Sequence, residues 1–361
     1  MKQTLNIIRG LDRAAFEPIL VTLFPEMDQS TLIAAYVDEV RERHCLGLSR
    51  AQAAVQGKRH LNELLEKIEP DIIHAVGMPI YSYSLGYRSA GHVTTLRAYL
   101  PVDYRDRFGK LAGGLLAKRD VELIRRQQAA EEGVVTCSMA LAELYEREHG
   151  LCLKVIRNGV DTNSYAPRAE GERQSARRSL GLPREGLIVT YAGPMIDRKD
   201  QQSAIEGFLA SRISGSHLLL LGGGENYDKL RKRYSRHSAI IMPGDVEQVR
   251  EYLAASDLYV STSKSEGLPN AVLEAMSVGL PVVLSDIPQH LEVLRLAASV
   301  GTSYALGRTS DLAEKLLGMA NRDLAGMGRS ASCAVRKSLS SVENSRQYQR
   351  LYDRLNMQRG A

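Results

Sequence analysis

Five short apolar runs in the second half of the chain most constrain its fold. They are LIVTYAG at 187–193, SHLLLLGGG at 216–224, SAIIMPG at 238–244, SDLYVSTS at 256–263 and LPVVLSD at 280–286. Each is short, nearly unbroken by polar residues and followed by a turn signal. Runs of this kind are strands whose two faces are both buried. Amphipathic stretches such as QQSAIEGFLA and DKLRKRYSR separate them, and strands alternating with helices predict a parallel α/β sheet. A similar series, FEPILVTLF, DIIHAV, HVTTL and EEGVVTCS, runs through the first half, spaced by helical patterns such as RAQAAVQGKRHLNELLEKI.

Two such series imply two Rossmann-like domains, and 361 residues suffice for two cores. The join falls in the polar segment KVIRNGVDTNSYAPRAEGERQSARRSLGLPREG. The expected division is an N-terminal domain over 1–163, a second domain over 164–341, and a terminal helix over 342–361. That helix places Tyr348, Leu351 and Leu355 on one face, and is expected to pack back on the N-terminal domain. One element breaks the pattern. An open α/β domain starts with a strand and a Gly-rich turn, whereas MKQTLNIIRGLDRAAF reads as a helix. The first strand of the N-terminal domain is thus expected to be missing.

The overall balance is that of a soluble globular protein, 44% hydrophobic and 25% charged. A net charge of +5 suits anionic ligands or a membrane surface but is too mild to argue for nucleic acid. The four cysteines (Cys45, Cys137, Cys152, Cys333) are scattered, which argues against a disulfide framework or a zinc site and for a reducing cytoplasm. No apolar run reaches bilayer length and no secretory signal pattern is present. The expectation is a cytoplasmic protein that touches a membrane only peripherally.

The chemistry concentrates in SKSEGLPNAVLEAMSVGLPVVLSD, residues 263–286. SDLYVSTS is a strand, SKSEGL the turn after it, and Pro269 suits the first position of a helix that stops near Gly279. Glu266 then sits on a loop at the carboxyl end of a strand, and Glu274 about one turn inside the helix. Between them lies a helix start, whose N–H groups attract phosphate. Carboxylates bind vicinal hydroxyls as two-oxygen acceptors, so carboxylate, anion site and carboxylate in series match a nucleotide sugar. The competing reading is a solvated charge before a helix and an ordinary glutamate on its face.

E-x7-E within SEGLPNAVLEAMSVGLPVV resembles the signature of glycosyltransferase family 4, retaining enzymes of the GT-B fold. VIRNGVDTNSYAP is similar to that family's interdomain segment, LLLLGGGENYDKL to its Gly-rich turn, and TLRAYLPVDYRDRFGKLAG to the acceptor-side segment of bacterial polysaccharide members. The resemblance implies an α/β GT-B protein whose two Rossmann-like domains face a central cleft, the donor on the second and the acceptor on the first. It assigns the ribose hydroxyls to Glu274 and hexose hydroxyls to Glu266, with the amides of Gly267, Leu268, Pro269 and Asn270 along the sugar and phosphates.

In YAGPMIDRKDQQSAIEGF a strand ends at Gly193 and a helix begins near Asp200, with Arg198 and Lys199 at its entrance. A basic pair there is either solvated or placed to neutralise a departing diphosphate, and the resemblance favours the second by aligning Lys199 with a phosphate-binding lysine. Pro194 departs from the arginine many relatives carry after this glycine, leaving Arg198 to substitute. Gly223 and Glu225, with Glu225 opening the next helix, are expected near the nucleotide, and Val246 beside the base. In TTLRAY, Arg97 replaces a histidine common in the family. Arg97 and Asp103 are the acceptor-side candidates. Segment 88–126 carries nine Lys and Arg against four Asp and Glu, read either as a solvated helix face or as a patch for anionic lipid headgroups or a lipid-diphosphate acceptor. His74 in DIIHAV reads as a packed histidine.

The resulting expectation is a retaining, metal-independent hexosyltransferase that uses a nucleotide sugar, UDP-linked, and needs no cofactor. It would extend a lipid-linked or cell-surface polysaccharide, as in lipopolysaccharide, at the inner face of a bacterial membrane. Two rivals stand beside it: a catalytically weak or inactive partner in a polysaccharide assembly complex, and a nucleotide-sugar epimerase of related fold.

Overall fold

The computed structural model describes residues 2–25, 35–130, 132–169, 171–296 and 299–360. Contacts divide the chain into two units, Met1–Gly159 with Ser341–Ala361, and Val160–Ser340. The divisions fall at 159/160 and 340/341, where the sequence suggested 163/164 and 341/342.

The second unit is a six-stranded parallel sheet. Its strands are β7 (Ile188–Ala192), β8 (His217–Leu221), β9 (Ile240–Gly244), β10 (Leu258–Ser261), β11 (Val282–Ser285) and β12 (Gly301–Tyr304), in the spatial order β12-β11-β10-β7-β8-β9. Every residue of β7, β10 and β11 is buried, as their unbroken apolar runs require, with helices on both faces. Strand order reverses between β7 and β10, which pair through Leu258 with Val189 and Tyr259 with Thr190. Loops leaving the carboxyl ends of strands on either side of such a reversal diverge and open a crevice.

One polar anchor holds this unit's first helix, Glu172–Ser179, to the sheet. Arg177 is only 1% exposed. Its guanidinium donates to Asp257 at 2.5 Å and to the carbonyls of Ala255, Arg184 and Gly186. Asp257 also accepts from the Ile188 N–H at 2.8 Å and pairs with Arg173 of the same helix. The charge is therefore fully satisfied only while both partners are present.

In the first unit, β3 (Ile72–Val76), β4 (Gly91–Leu96), β5 (Gly133–Thr136) and β6 (Lys154–Val155) form one parallel sheet, and β1 (Ile19–Thr22) pairs in parallel with β2 (Glu42–Cys45) in another. The described residues open on the helix Lys2–Arg9, and β1 pairs only with β2. The helix Arg50–Ile68 nonetheless covers both sheets, since Leu61 and Leu65 pack with Val21 and Leu23 as well as Ile73. Among the described residues no strand pairs with both sheets. The bonds from Gly91 N to Asp71 O and from Gly77 N to Thr95 O direct alternate residues of β3 toward β4, so the amides of Ile72, His74 and Val76 face the open side.

The C-terminal helix Ser341–Gly360 belongs to this first unit. Tyr348, Leu351, Tyr352 and Leu355 cluster with Ile7, Val93, Val135 and Ile156. At the centre His74 Nδ1 meets the Tyr352 hydroxyl at 2.7 Å and Nε2 meets Thr95 Oγ1 at 2.7 Å, while Thr95 also contacts Tyr348. Both ring nitrogens are thus occupied, which makes His74 a structural residue. Burial, reinforced by the nearby Arg97 charge, pushes its pKa down to about 3.

Two outcomes are expected. Arg177→Ala leaves Asp257 with Arg173 alone and strips donors from three carbonyls, and should lower the unfolding free energy by about 1–3 kcal/mol in urea titrations. An unchanged midpoint would contradict the anchor. His74 takes up a proton only on unfolding, so its contribution is complete above the ordinary histidine value of 6.5 and declines as pH falls from there toward 3. His74→Gln should flatten the fall of melting temperature over that window, and an unaltered slope would contradict it.

Candidate donor site in the second unit

The loops after β7, β8 and β9 are laced together by their own backbone. Gly193 N–H donates to Leu221 O at 2.9 Å, Met195 N–H to Gly223 O at 2.6 Å, Gly222 N–H to Gly244 O at 2.8 Å and Asn226 N–H to Met195 O at 2.9 Å. Gly222 has φ +122°, and a Cβ there would stand 2.4 Å from Gly193 O. Only glycine permits that approach, which accounts for the glycine turn in LLLLGGG. Gly223 N–H is already engaged by the Asp245 carboxylate at 2.7 Å, so Gly223 acts here as a tie between loops. Glu225 is exposed and lies two residues before the helix Tyr227–Tyr234 rather than opening it. Val246 is half-buried just past β9.

Arg198, Lys199 and Glu266 come together between β7 and β10. Lys199 Nζ lies 2.6 Å from Glu266 Oε1, and Arg198 Nη1 lies 3.3 Å from Oε2 and 2.6 Å from Ser265 O. The Lys199 and Glu266 side chains are 13% and 8% exposed, while that of Arg198 is 38% exposed. Burial works to raise the Glu266 pKa, but the two cations outweigh it and hold the carboxyl below its ordinary value. Lys199 is therefore a largely covered side chain with one carboxylate neighbour among the described residues, beside Gly193: a Cβ built on Gly193 would be 3.9 Å from Nζ.

The loop that presents these cations is rigidly held. The Tyr191 hydroxyl donates to Lys199 O at 2.8 Å, Thr262 Oγ1 to Asp200 O at 2.7 Å, Lys264 N–H to Arg198 O at 2.8 Å and Gln201 to Pro194 O at 2.8 Å. Asp200 precedes the helix Gln201–Ser211 in a left-handed conformation, φ +51°. On the β10 side, Ser285 Oγ donates to Ser263 O at 2.6 Å, and the fully buried His290 contacts Ser261 and Ser285. Burial brings the His290 pKa down to about 4, so the ring is neutral at physiological pH. Tyr191, Thr262, Ser263, Ser285 and His290 were not singled out from the sequence. The only trace there is the hydroxyl-rich STS ending β10.

The helix Asn270–Val278 follows, with Pro269 just before it rather than at its first position. Its first internal bond runs from Leu273 N–H to Pro269 O at 3.1 Å, so the amides of Ala271 and Val272 come ahead of the helical ladder. Leu268 and Pro269 are buried, Gly267 is half-buried, and Glu274 is 9% exposed on this helix. The phenol of Tyr259 is raised in pKa chiefly by its burial, with the charges of Glu266 and Glu274 adding to the shift. Lys199, Arg198 and Glu266, ahead of a helix start, gather cations and free amides of the kind that attract an anion.

Arg97 and Asp103 lie in the first unit. Arg97 is half-buried at the end of β4, its Nε without a partner, and its charge reaches His74, Tyr36 and Tyr348. Asp103 pairs with Arg107 at 3.3 Å.

Comparison with known proteins bears on the whole chain. It is 27% identical over 245 residues to UDP-Gal:alpha-D-GlcNAc-diphosphoundecaprenol alpha-1,3-galactosyltransferase of Escherichia coli, covering 63% of this chain and 60% of that protein. It is 34% identical over 110 residues to the lipopolysaccharide core biosynthesis glycosyltransferase LpsE of Rhizobium meliloti (strain 1021), covering 30% of this chain and 32% of that protein. The chain thus spans less than two thirds of the length of either. Among solved structures, a glycosyltransferase from Rickettsia africae ESF-5 matches with TM-score 0.78 at 15% identity over 98% of this chain and 94% of that one. Anabaena HepE in complex with UDP and glucose matches with TM-score 0.77 at 18% identity over 97% and 94%. These likenesses show the fold, which is GT-B. The family model Glycosyltransferase Family 4 matches residues 2–164, and the model Glycosyl transferases group 1 matches 186–322. With the two models taking in most of both units, the chain belongs to glycosyltransferase family 4.

Proposed function

We propose that this protein transfers a hexosyl group from a UDP-linked sugar to a lipid-linked or cell-surface glycan, with retention at the anomeric carbon. The observation that carries the reading is the buried Lys199–Glu266 pair with Arg198 beside it, at the reversal of strand order and next to the start of the Asn270–Val278 helix. The E. coli relative, named for UDP-galactose and a diphosphoundecaprenol-linked acceptor, supports the choice of donor and acceptor class.

In this mechanism the acceptor hydroxyl oxygen forms a bond to the anomeric carbon on the face from which UDP leaves. The bond from that carbon to the β-phosphate oxygen breaks, and UDP departs with the electron pair. The hydroxyl proton passes to the departing phosphate. Lys199, Arg198 and the helix-start amides stabilise charge as it accumulates on the phosphate oxygens. Glu266 binds hexose hydroxyls and Glu274 those of the ribose. Positive charge comes from these side chains rather than from a metal, and the reaction needs no cofactor. The enzyme would act at the inner face of a bacterial membrane.

Release of UDP from UDP-sugars, followed with and without acceptor glycans, tests this reading. Lys199→Ala is expected to lower kcat by about 10²–10³-fold, the loss typical of a group serving developing charge. Glu274→Ala should weaken donor binding about tenfold or more, as one charged hydrogen bond is worth about 1.5–3 kcal/mol. Wild-type turnover in both variants would overturn the site assignment. Donor binding with no turnover on any acceptor would instead favour a non-catalytic partner in an assembly complex.

A further inference from the structure

The first unit carries a surface that the proposed chemistry does not use. Three large apolar side chains stand exposed around one helix–turn–helix: Phe108 at 51%, Leu111 at 88% and Leu115 at 73%. Phe108 ends the helix Leu100–Phe108, Gly109 makes the turn, and Leu111 and Leu115 lie one helical turn apart at the start of Lys110–Ala129. With Lys118 they share a stripe of that helix. Arg105, Arg107, Lys110, Lys118 and Arg119 border them, all exposed. Arg107 pairs with Asp103, Arg105 sits near Asp106, and Arg119 pairs with the buried Asp120. Lys110 and Lys118 have no carboxylate partner among the described residues.

The exposure is built into the fold. Gly113 is packed so closely on the preceding helix that a Cβ would lie 2.4 Å from Tyr104 O. The Tyr104 hydroxyl, itself buried, donates to the fully buried Asp120 at 2.6 Å. The two helices are thereby clamped together, and the clamp turns Gly113 and Ala117 inward and the leucines outward. A rigid apolar ridge rimmed by unpaired lysines is costly in water, and is the composition of a bilayer-docking element. A second copy of the chain would bring the same cations against each other, so charge complementarity selects an anionic surface.

We propose that this helical hairpin docks the protein on an anionic lipid bilayer. Phe108, Leu111 and Leu115 enter the boundary between headgroups and acyl chains, and Arg105, Lys110, Lys118 and Arg119 contact the lipid phosphates. The inference rests on the reading of a membrane-borne acceptor and names the surface that brings the enzyme to it.

Flotation with vesicles of phosphatidylcholine and phosphatidylglycerol at 3:1, and of phosphatidylcholine alone, tests it. The protein is expected to float with the anionic vesicles and not with the neutral ones. The double variant Leu111→Ser/Leu115→Ser should reduce flotation at least tenfold, and Lys110→Glu/Lys118→Glu should do the same at low salt. Both pairs are exposed and lie outside the second unit, so melting temperature and the affinity for UDP should be unchanged. Absence of wild-type flotation, equal binding to neutral vesicles, or wild-type flotation by the leucine variant would each overturn the proposal. So would a dimer in light scattering that is lost in the leucine variant. UDP release is read separately, so failure of docking with turnover intact leaves the transferase reading standing, and loss of turnover with docking intact does the reverse.

Discussion

The donor site depends on one carboxylate, Glu266, which is buried and yet kept ionised by Lys199 and Arg198. A carboxylate taken out of water at that position is tolerable only with cations against it. Lys199 reaches it at 2.6 Å and Arg198 at 3.3 Å. The pair ties the loop after β7 to the loop after β10, across the point where strand order reverses. The hydroxyls of Tyr191 and Thr262 secure the same loop by its carbonyls, so the cations keep their places without depending on a ligand. Under the proposed function, a diphosphate would meet preplaced charge here, which is what electrostatic catalysis requires.

How far the sequence revealed this follows from where each residue sits. Strands β7, β8, β10 and β11 were legible because both of their faces are buried, leaving unbroken apolar runs. Strand β2, ERHC, was not, since it is short and mostly exposed and nothing in its pattern demands a sheet. The Glu266 and Glu274 spacing was legible because a strand, a turn and a helix fall in immediate succession. The grip of Lys199 on Glu266 spans 67 positions, and local pattern carries no such information. The same holds for Arg177 and Asp257, 80 positions apart. Small shifts at element starts have local causes. Pro269 caps rather than opens its helix, and Glu225 stays in the turn because Asn226 bonds back to Met195 before the helix begins.

The first unit follows the same physics with a different outcome. Its C-terminal helix fills the face over β3, β4 and β5, and His74, Thr95, Tyr348 and Tyr352 satisfy one another there. That network, centred on a histidine in the middle of β3, makes His74 a structural residue. The charge in segment 88–126 was visible in the sequence, but the turning-out of Leu111 and Leu115 was not. That orientation is set by Gly113 against Tyr104 and by the Tyr104–Asp120 bond, both tertiary.

The account's central claim is that Lys199 and Arg198 serve the diphosphate and are held in reserve by Glu266. Calorimetric titration of UDP, which lacks the hexose, isolates that role. Glu266→Gln removes the competing negative charge and should leave UDP binding as tight or tighter, while Lys199→Ala should weaken it about tenfold or more. Parallel weakening in both variants, or no change in Lys199→Ala, would contradict it.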